Sequence, residues 1–197
     1  MYKYWFVTFS SFGSRLPGDE RGSYHWDGKF IPPSPMLRGF VQAGMRNSSV
    51  KFINDFERRL VFQAIVEICK KRDWPIGALN VRTDHVHLLL FTKTDVASDT
   101  IAQAVKSKVT MRLHRNVERF KEVSPIWSRG YDKTRVDDLD AWRDLAEYAL
   151  LKQGANDYLS SEQWLKYSRY WIANPYRPEQ TRQVAFDGST LTYPLKD

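Results

Sequence analysis

The chain has 197 residues, 42% of them hydrophobic and 14% aromatic, enough to bury one sizeable core and too apolar for a disordered polymer. Thirty Lys and Arg against 23 Asp and Glu leave a formal charge of +7, which favours anionic partners such as nucleic acid. The lone cysteine, Cys69, excludes an internal disulfide and a Cys-rich zinc site, and no apolar run reaches the roughly 18 residues of a membrane span. The N-terminus lacks the basic–apolar–small order of a signal peptide, so a soluble, cytoplasmic protein with no membrane partner is expected.

Tyr2 to Phe9 is a dense β-branched and aromatic run and predicts a buried strand. Ser10 to Ser49 carries Gly and Pro at close intervals, including Pro17-Gly18 and Pro32-Pro33-Ser34-Pro35, and predicts a long irregular insertion. Long loops inside a compact domain are often functional. Asn54 and Glu57 stand at capping-box spacing, and behind them Phe56, Leu60, Ala64 and Ile68 repeat every four residues. A helix is expected from Asn54 to Lys71, ended by Trp74-Pro75. Ile76 to Arg82 and His85 to Thr92 flank the turn-prone Thr83-Asp84 and predict a tight antiparallel pair.

Ile101, Val105, Val109 and Leu113 recur at i+4 along a helix from Ser98 to Asn116, whose other side carries Lys106, Lys108, Arg112 and Arg115. A fourth strand is expected over Ile126 to Val136, then a third helix from a cap at Asp137 to about Lys152. From Ala155 the composition turns aromatic and basic, with a short helix expected near Ser161 to Ile172. The order is that of an α+β fold, a ferredoxin-like (RRM-like) antiparallel sheet with helices on one face. Residues 1–154 form the expected domain, with an insertion at about 10–50, and 155–197 an aromatic–basic C-terminal extension.

His85-Val86-His87-Leu88-Leu89-Leu90 is the most informative segment. Side chains alternate along a strand, so His85 and His87 share one face while Val86, Leu88 and Leu90 share the other. Two imidazoles on an otherwise apolar strand suit a divalent metal, although a hydrogen-bonded pair in a partly exposed strand is the plainer alternative. A catalytic metal also needs a further ligand and open positions for substrate.

The ordered set of segments resembles a known family, the HUH endonucleases, and within it the single-tyrosine insertion-sequence transposases and REP-associated tyrosine transposases. The resemblance covers roughly Tyr2 to Gln153. It is carried by Thr83-Asp84-His85-Val86-His87-Leu88-Leu89, by Pro125-Ile126-Trp127-Ser128-Arg129-Gly130-Tyr131-Asp132, and by Trp142-Arg143-Asp144-Leu145-Ala146-Glu147-Tyr148. Phe12 to Gly22 in the insertion is similar to a segment of one branch of that group.

The resemblance implies cleavage and rejoining of hairpin-bearing single-stranded DNA through a 5′-phosphotyrosine intermediate. The nucleophile would be Tyr148, the metal Mg2+ or Mn2+, and the assembly a monomer or homodimer. Tyr148 falls on the flank of its helix, beside the apolar face of Leu139, Trp142, Ala146 and Ala149; Tyr131, Tyr158, Tyr167 and Tyr170 compete on sequence alone. His85 and His87 would be metal ligands. The family usually has Gln or Asn four residues after the tyrosine, where this chain has Lys152, a donor without a lone pair when charged. Gln153, one residue further, is therefore the expected third ligand, with Glu147 or Asp84 as alternatives. Lys106, Lys108, Arg112 and Arg115, with Arg129, are the expected DNA contacts, and the tail aromatics supply stacking. The rival reading is a non-catalytic nucleic-acid binder on the same fold.

Overall fold

The computed structural model describes residues 2–25, 27–45, 49–52, 54–93, 96–150, 170–174, 177–184 and 190–192. Its elements in chain order are β1 (Tyr2–Ser10), β2 (Ser23–Tyr24), β3 (Phe30–Ile31), α1 (Pro35–Ala43), α2 (Asp55–Lys71), β4 (Ile76–Val81), β5 (His85–Lys93), α3 (Ser98–Asn116), β6 (Asp132–Val136) and α4 (Leu139–Leu150). A separate three-stranded sheet follows, β7 (Tyr170–Asn174), β8 (Arg177–Val184) and β9 (Thr190–Thr192). The α+β fold expected from the sequence is thus present, with a four-stranded sheet in the order β4-β5-β1-β6 and every pairing antiparallel.

Each face of this sheet has its own core. Trp5, Val7 and Phe9 of β1, with Val86, Leu88 and Leu90 of β5, face α2 and α3, which bury Val61, Ile65, Ile101, Val105 and Val109 against them. The opposite face carries Tyr4 and Phe6 of β1, Ala78 of β4, Leu89 of β5 and Val136 of β6. Helix α4 covers that second patch through Trp142, Ala146 and Ala149. The sequence expectation of helices on one face holds for α2 and α3 but not for α4. The physical reason is that β5 is apolar on both sides beyond its histidines, so the second face also needs a helix to exclude water.

Other expectations are refined locally. Asn54 caps α2 by accepting from the Glu57 backbone N–H at 2.9 Å, and the buried Glu57 carboxylate also accepts from Arg119 Nε (2.6 Å). Asp138, not Asp137, receives the Ala141 N–H at the start of α4 (2.7 Å), while Asp137 pairs with Arg135. The strand expected over Ile126 to Val136 begins only at Asp132. Trp127 instead packs beneath α3, its indole N–H donating to the Lys106 carbonyl (3.2 Å), and makes one bridge to Ser11. Inside the insertion, Ser34 caps α1 by accepting from Leu37 N (3.3 Å). Pro35 opens that helix, where a missing N–H is harmless, so the proline cluster starts a helix instead of breaking one. Of the helix expected near Ser161 to Ile172, residues 161–169 lie outside the described residues, and Tyr170 to Ile172 belong to strand β7.

Trp142 is the largest side chain that α4 buries, 4% exposed and lying over Gly77. Trp142→Ala should therefore destabilise the protein by about 3–5 kcal/mol, read as a lowered midpoint in urea unfolding. An unchanged midpoint would mean that α4 is not docked on this face.

Candidate active site

The sheet register assembles a row of polar side chains on the face that α4 only partly covers. Asn80 of β4 lies opposite His87 of β5, His87 opposite Thr8 of β1, and Thr8 opposite Asp132 of β6. His85 lies opposite Ser10, one step nearer the sheet's end. The strand alternation inferred from the sequence therefore holds, and the two imidazole rings stand 4.7 Å apart between centroids.

Each ring is held from behind. Asp84 Oδ1 lies 2.6 Å from His85 Nδ1, and Thr8 Oγ1 lies 2.8 Å from His87 Nδ1. A carboxylate can only accept, so His85 carries its proton on Nδ1 and, in its neutral form, keeps the Nε2 lone pair for a ligand. Burial pushes the Asp84 carboxyl up, but the His85 hydrogen bond and the charges of His85, Arg21 and Lys51 outweigh it and lower its pKa. The turn itself is pinned, since the Asp84 carbonyl accepts from Ser11 N (2.8 Å) and Ser11 Oγ (3.0 Å).

Tyr148 comes to this site because α4 lies on the histidine face. Its ring meets His87 edge-on at 5.3 Å and Phe6 at 6.2 Å, and Phe6 in turn stacks on His87 at 5.6 Å. Tyr148 stays 42% exposed while His87 is 4% exposed, so the phenol sits over the imidazole and faces an open cavity. The buried Asn80 side chain donates to the Ala149 carbonyl (2.5 Å) and ties the end of α4 to β4 one residue beyond the tyrosine. The competitor Tyr131 is committed elsewhere, its hydroxyl bonded to Ser98 and Asp99. Tyr158 and Tyr167 lie outside the described residues.

The cavity measures about 330 Å³ and is lined by Phe6, Thr8, Ser10, Ser14, Arg15, Arg21, Asp84, His85, His87, Asp132 and Tyr148. Two imidazoles with backed Nδ1 atoms are a donor set that fits a divalent cation in part. Among the described residues no cluster of three His, Cys, Asp or Glu side chains completes it, which leaves Asp84 as a support for His85. Gln153, the expected third ligand, and Lys152 lie outside the described residues, as does the side chain of Glu147.

None of the five expected DNA contacts lines the cavity. Lys106 donates to the carbonyls of Ser128 (2.8 Å) and Gly130 (2.9 Å), and burial lowers its pKa. Lys108 and Arg112 both pair with Glu67 of α2, at 3.1 and 2.5 Å. Arg115 and Arg129 are exposed. The basic side of α3 thus serves in part to hold α2 and the 128–130 segment. The residues that sequence reasoning missed are Thr8, Asn80, Asp132, Arg15 and Arg21. Asn80 left a faint signal as the one polar side chain of β4, and Thr8 as a polar residue within the apolar and aromatic run Trp5 to Phe9.

A family model described as IS200-like transposase matches residues 45–148, more than half of the chain. The chain belongs to the IS200-like transposase family. Among solved structures, the chain is similar to a REP-associated tyrosine transposase bound to a REP hairpin, at 13% identity and a TM-score of 0.46, over 80% of this chain and 70% of that one. It is also similar to a protein of Deinococcus radiodurans R1 assigned as a transposase, at 14% identity and a TM-score of 0.46, over 79% of this chain and 94% of that one. No curated protein matches the sequence. No helix among the described residues is long and apolar enough to cross a membrane.

Asn80→Ala should leave the Ala149 carbonyl buried without its side-chain donor, costing about 1–3 kcal/mol of stability. Chemical unfolding of the variant tests this, and an effect below the error of the fit would remove Asn80 as the tether of the tyrosine helix.

Proposed function

We propose that this IS200-like transposase cleaves and rejoins single-stranded DNA through a covalent 5′-phosphotyrosine intermediate on Tyr148, and that its substrate carries a hairpin. The observation that supports the reading most is the placement of Tyr148 against His87 at the mouth of a cavity shared with His85. The phenol oxygen attacks the scissile phosphorus, the P–O3′ bond breaks, and the leaving 3′-oxygen takes a proton. Bond energy is retained in the tyrosyl ester, so a second 3′-hydroxyl can reverse the step and be joined.

His85 and His87, with Gln153 as the expected third donor, would hold Mg2+ or Mn2+. When bound, such an ion supplies Lewis-acid polarisation of the phosphate and offsets charge on the leaving oxygen. The protein's own part is orientation. Asp84 and Thr8 fix the two rings, Asn80 fixes the end of α4, and Phe6 holds the ring of Tyr148 edge-on. A phenol has an ordinary pKa near 10, so such positioning beside a charge-stabilising site is what its nucleophilicity requires. The structured single-stranded substrate rests on the family resemblance and on the hairpin bound by the REP-associated relative. Arg115 and Arg129 remain available to it as exposed phosphate contacts. Lys152, at the position where the family usually has a neutral ligand, favours the second reading, a hairpin binder without strand cleavage.

The test is incubation of labelled hairpin-bearing single-stranded DNA with the protein and Mg2+ or Mn2+. A denaturation-resistant protein–DNA adduct is expected, and EDTA should abolish it. Tyr148→Phe keeps the ring packing and should remove the adduct while hairpin binding persists. An adduct that survives in Tyr148→Phe overturns the nucleophile, and binding without any adduct in the wild type establishes the binder.

A further inference from the structure

The insertion forms part of the wall of the active-site cavity. Its first residues are bonded to the histidine end of the sheet, through Ser11 to Asp84 and through Phe12 N to the Ile126 carbonyl (2.8 Å). Its last residues return to the same place, where Val50 N donates to the Phe12 carbonyl (2.8 Å) and Phe52 N to the Thr83 carbonyl (2.6 Å). Between these anchors, Ser14, Arg15 and Arg21 line the cavity with Tyr148.

Arg21 is built into position. Its Nε donates to Asp19 Oδ1 (2.9 Å) and its Nη2 to the Ser14 carbonyl (3.2 Å), while Nη2 stands 3.8 Å from Asp84 Oδ2. Asp19 is 3% exposed and also receives the Arg21 backbone N–H (3.2 Å). The turn carrying this pair is bracketed by Gly18 and Gly22, both at positive φ (85° and 70°), where any side chain is strained. A Cβ on Gly18 would lie 2.4 Å from the Ser34 carbonyl, and one on Gly22 would lie 2.4 Å from the Phe30 ring. The loop is therefore locked between α1 and the β2–β3 hairpin. Arg21 still keeps 43% of its side chain exposed, and Arg15 is exposed with no hydrogen-bond or ion-pair partner among the described residues.

We infer that the insertion is a phosphate clamp, in which Arg21 and Arg15 bind the scissile phosphodiester of the DNA strand against Tyr148. This inference rests on the proposed function and names residues for its substrate. A guanidinium held by a buried carboxylate has already lost its rotamer freedom, and its planar fork suits the non-bridging oxygens of a phosphate. These are the two Lys or Arg side chains among the described residues that line the cavity, which Asp84 and Asp132 line as well. An anionic strand entering the cavity therefore meets its compensating side-chain charge on the insertion side.

Single-turnover cleavage by wild type, Arg21→Ala, Arg21→Lys and Arg15→Ala tests the clamp on two substrates, one normal and one with a neutral methylphosphonate at the scissile position. Arg21→Ala should lose on the order of 100-fold on the phosphate and far less on the methylphosphonate, with Arg21→Lys in between. Equal losses on both substrates would overturn the contact and leave Arg21 as a support for Asp84 and His85. Thermal melting separates a folding defect from a lost contact. In parallel, the salt dependence of single-stranded oligonucleotide binding should flatten by about 0.7 in log–log slope for each arginine removed, with Tyr148→Phe unchanged. If the wild type forms no adduct, the catalytic reading falls alone and the slope decides the clamp: a flatter slope supports it, an unchanged one overturns it.

Discussion

The site depends on one packing event, the burial of α4 on the sheet face that also carries the histidines. Leu89 lies two residues beyond His87 on the same side of β5, so the surface that displays the imidazoles continues into the surface that Trp142 and Ala146 cover. Hydrophobic burial at one end of the face thus delivers a tyrosine to the other end. The Asn80 hydrogen bond to the Ala149 carbonyl sets how far along the face the helix sits. Without that docking, Tyr148 and His87 would have no reason to meet.

The second layer of organisation is electrostatic and comes from a part of the chain with little regular structure. Asp19, Arg21, Asp84 and His85 alternate in sign or proton role from the insertion into β5. Burial alone would raise the pKa of both carboxyls, and the neighbouring cations reverse that effect. Both groups thus remain ionised acceptors at neutral pH, one holding a guanidinium and the other an imidazole. On the far side of the sheet, Lys106, Lys108 and Arg112 do structural work of the same kind, satisfying carbonyls and Glu67. A charge in the sequence therefore does not reveal whether it faces a partner or a neighbour.

Much of this architecture was legible in the chain because it rests on local periodicity. The i+4 repeat along α3 and the Asn54 cap of α2 concern residues a few positions apart, and both helices keep the expected boundaries to within a residue or two. The period-two pattern of β5 placed His85 and His87 on one face before any neighbour was known. The expectations that failed needed contacts distant in sequence. Trp127 left the strand because α3 supplies its pocket and Lys106 captures the carbonyls that follow it. The insertion read as irregular because its order comes from Gly18 against α1 and Gly22 against Phe30, contacts that composition does not encode.

By itself, the sequence determined the family, the strand face with two imidazoles and the helix bearing the tyrosine, since each follows from a motif or a short-range repeat. Tertiary structure alone decided that α4 crosses to the histidine face, that Asn80 and Thr8 are part of the site, and that the cavity's arginines come from the insertion and not from the basic helix. Those outcomes turn on cross-strand register and on which apolar patch each helix covers. Both are set by pairings up to about the full length of the domain, where spacing along the chain carries no direct signal.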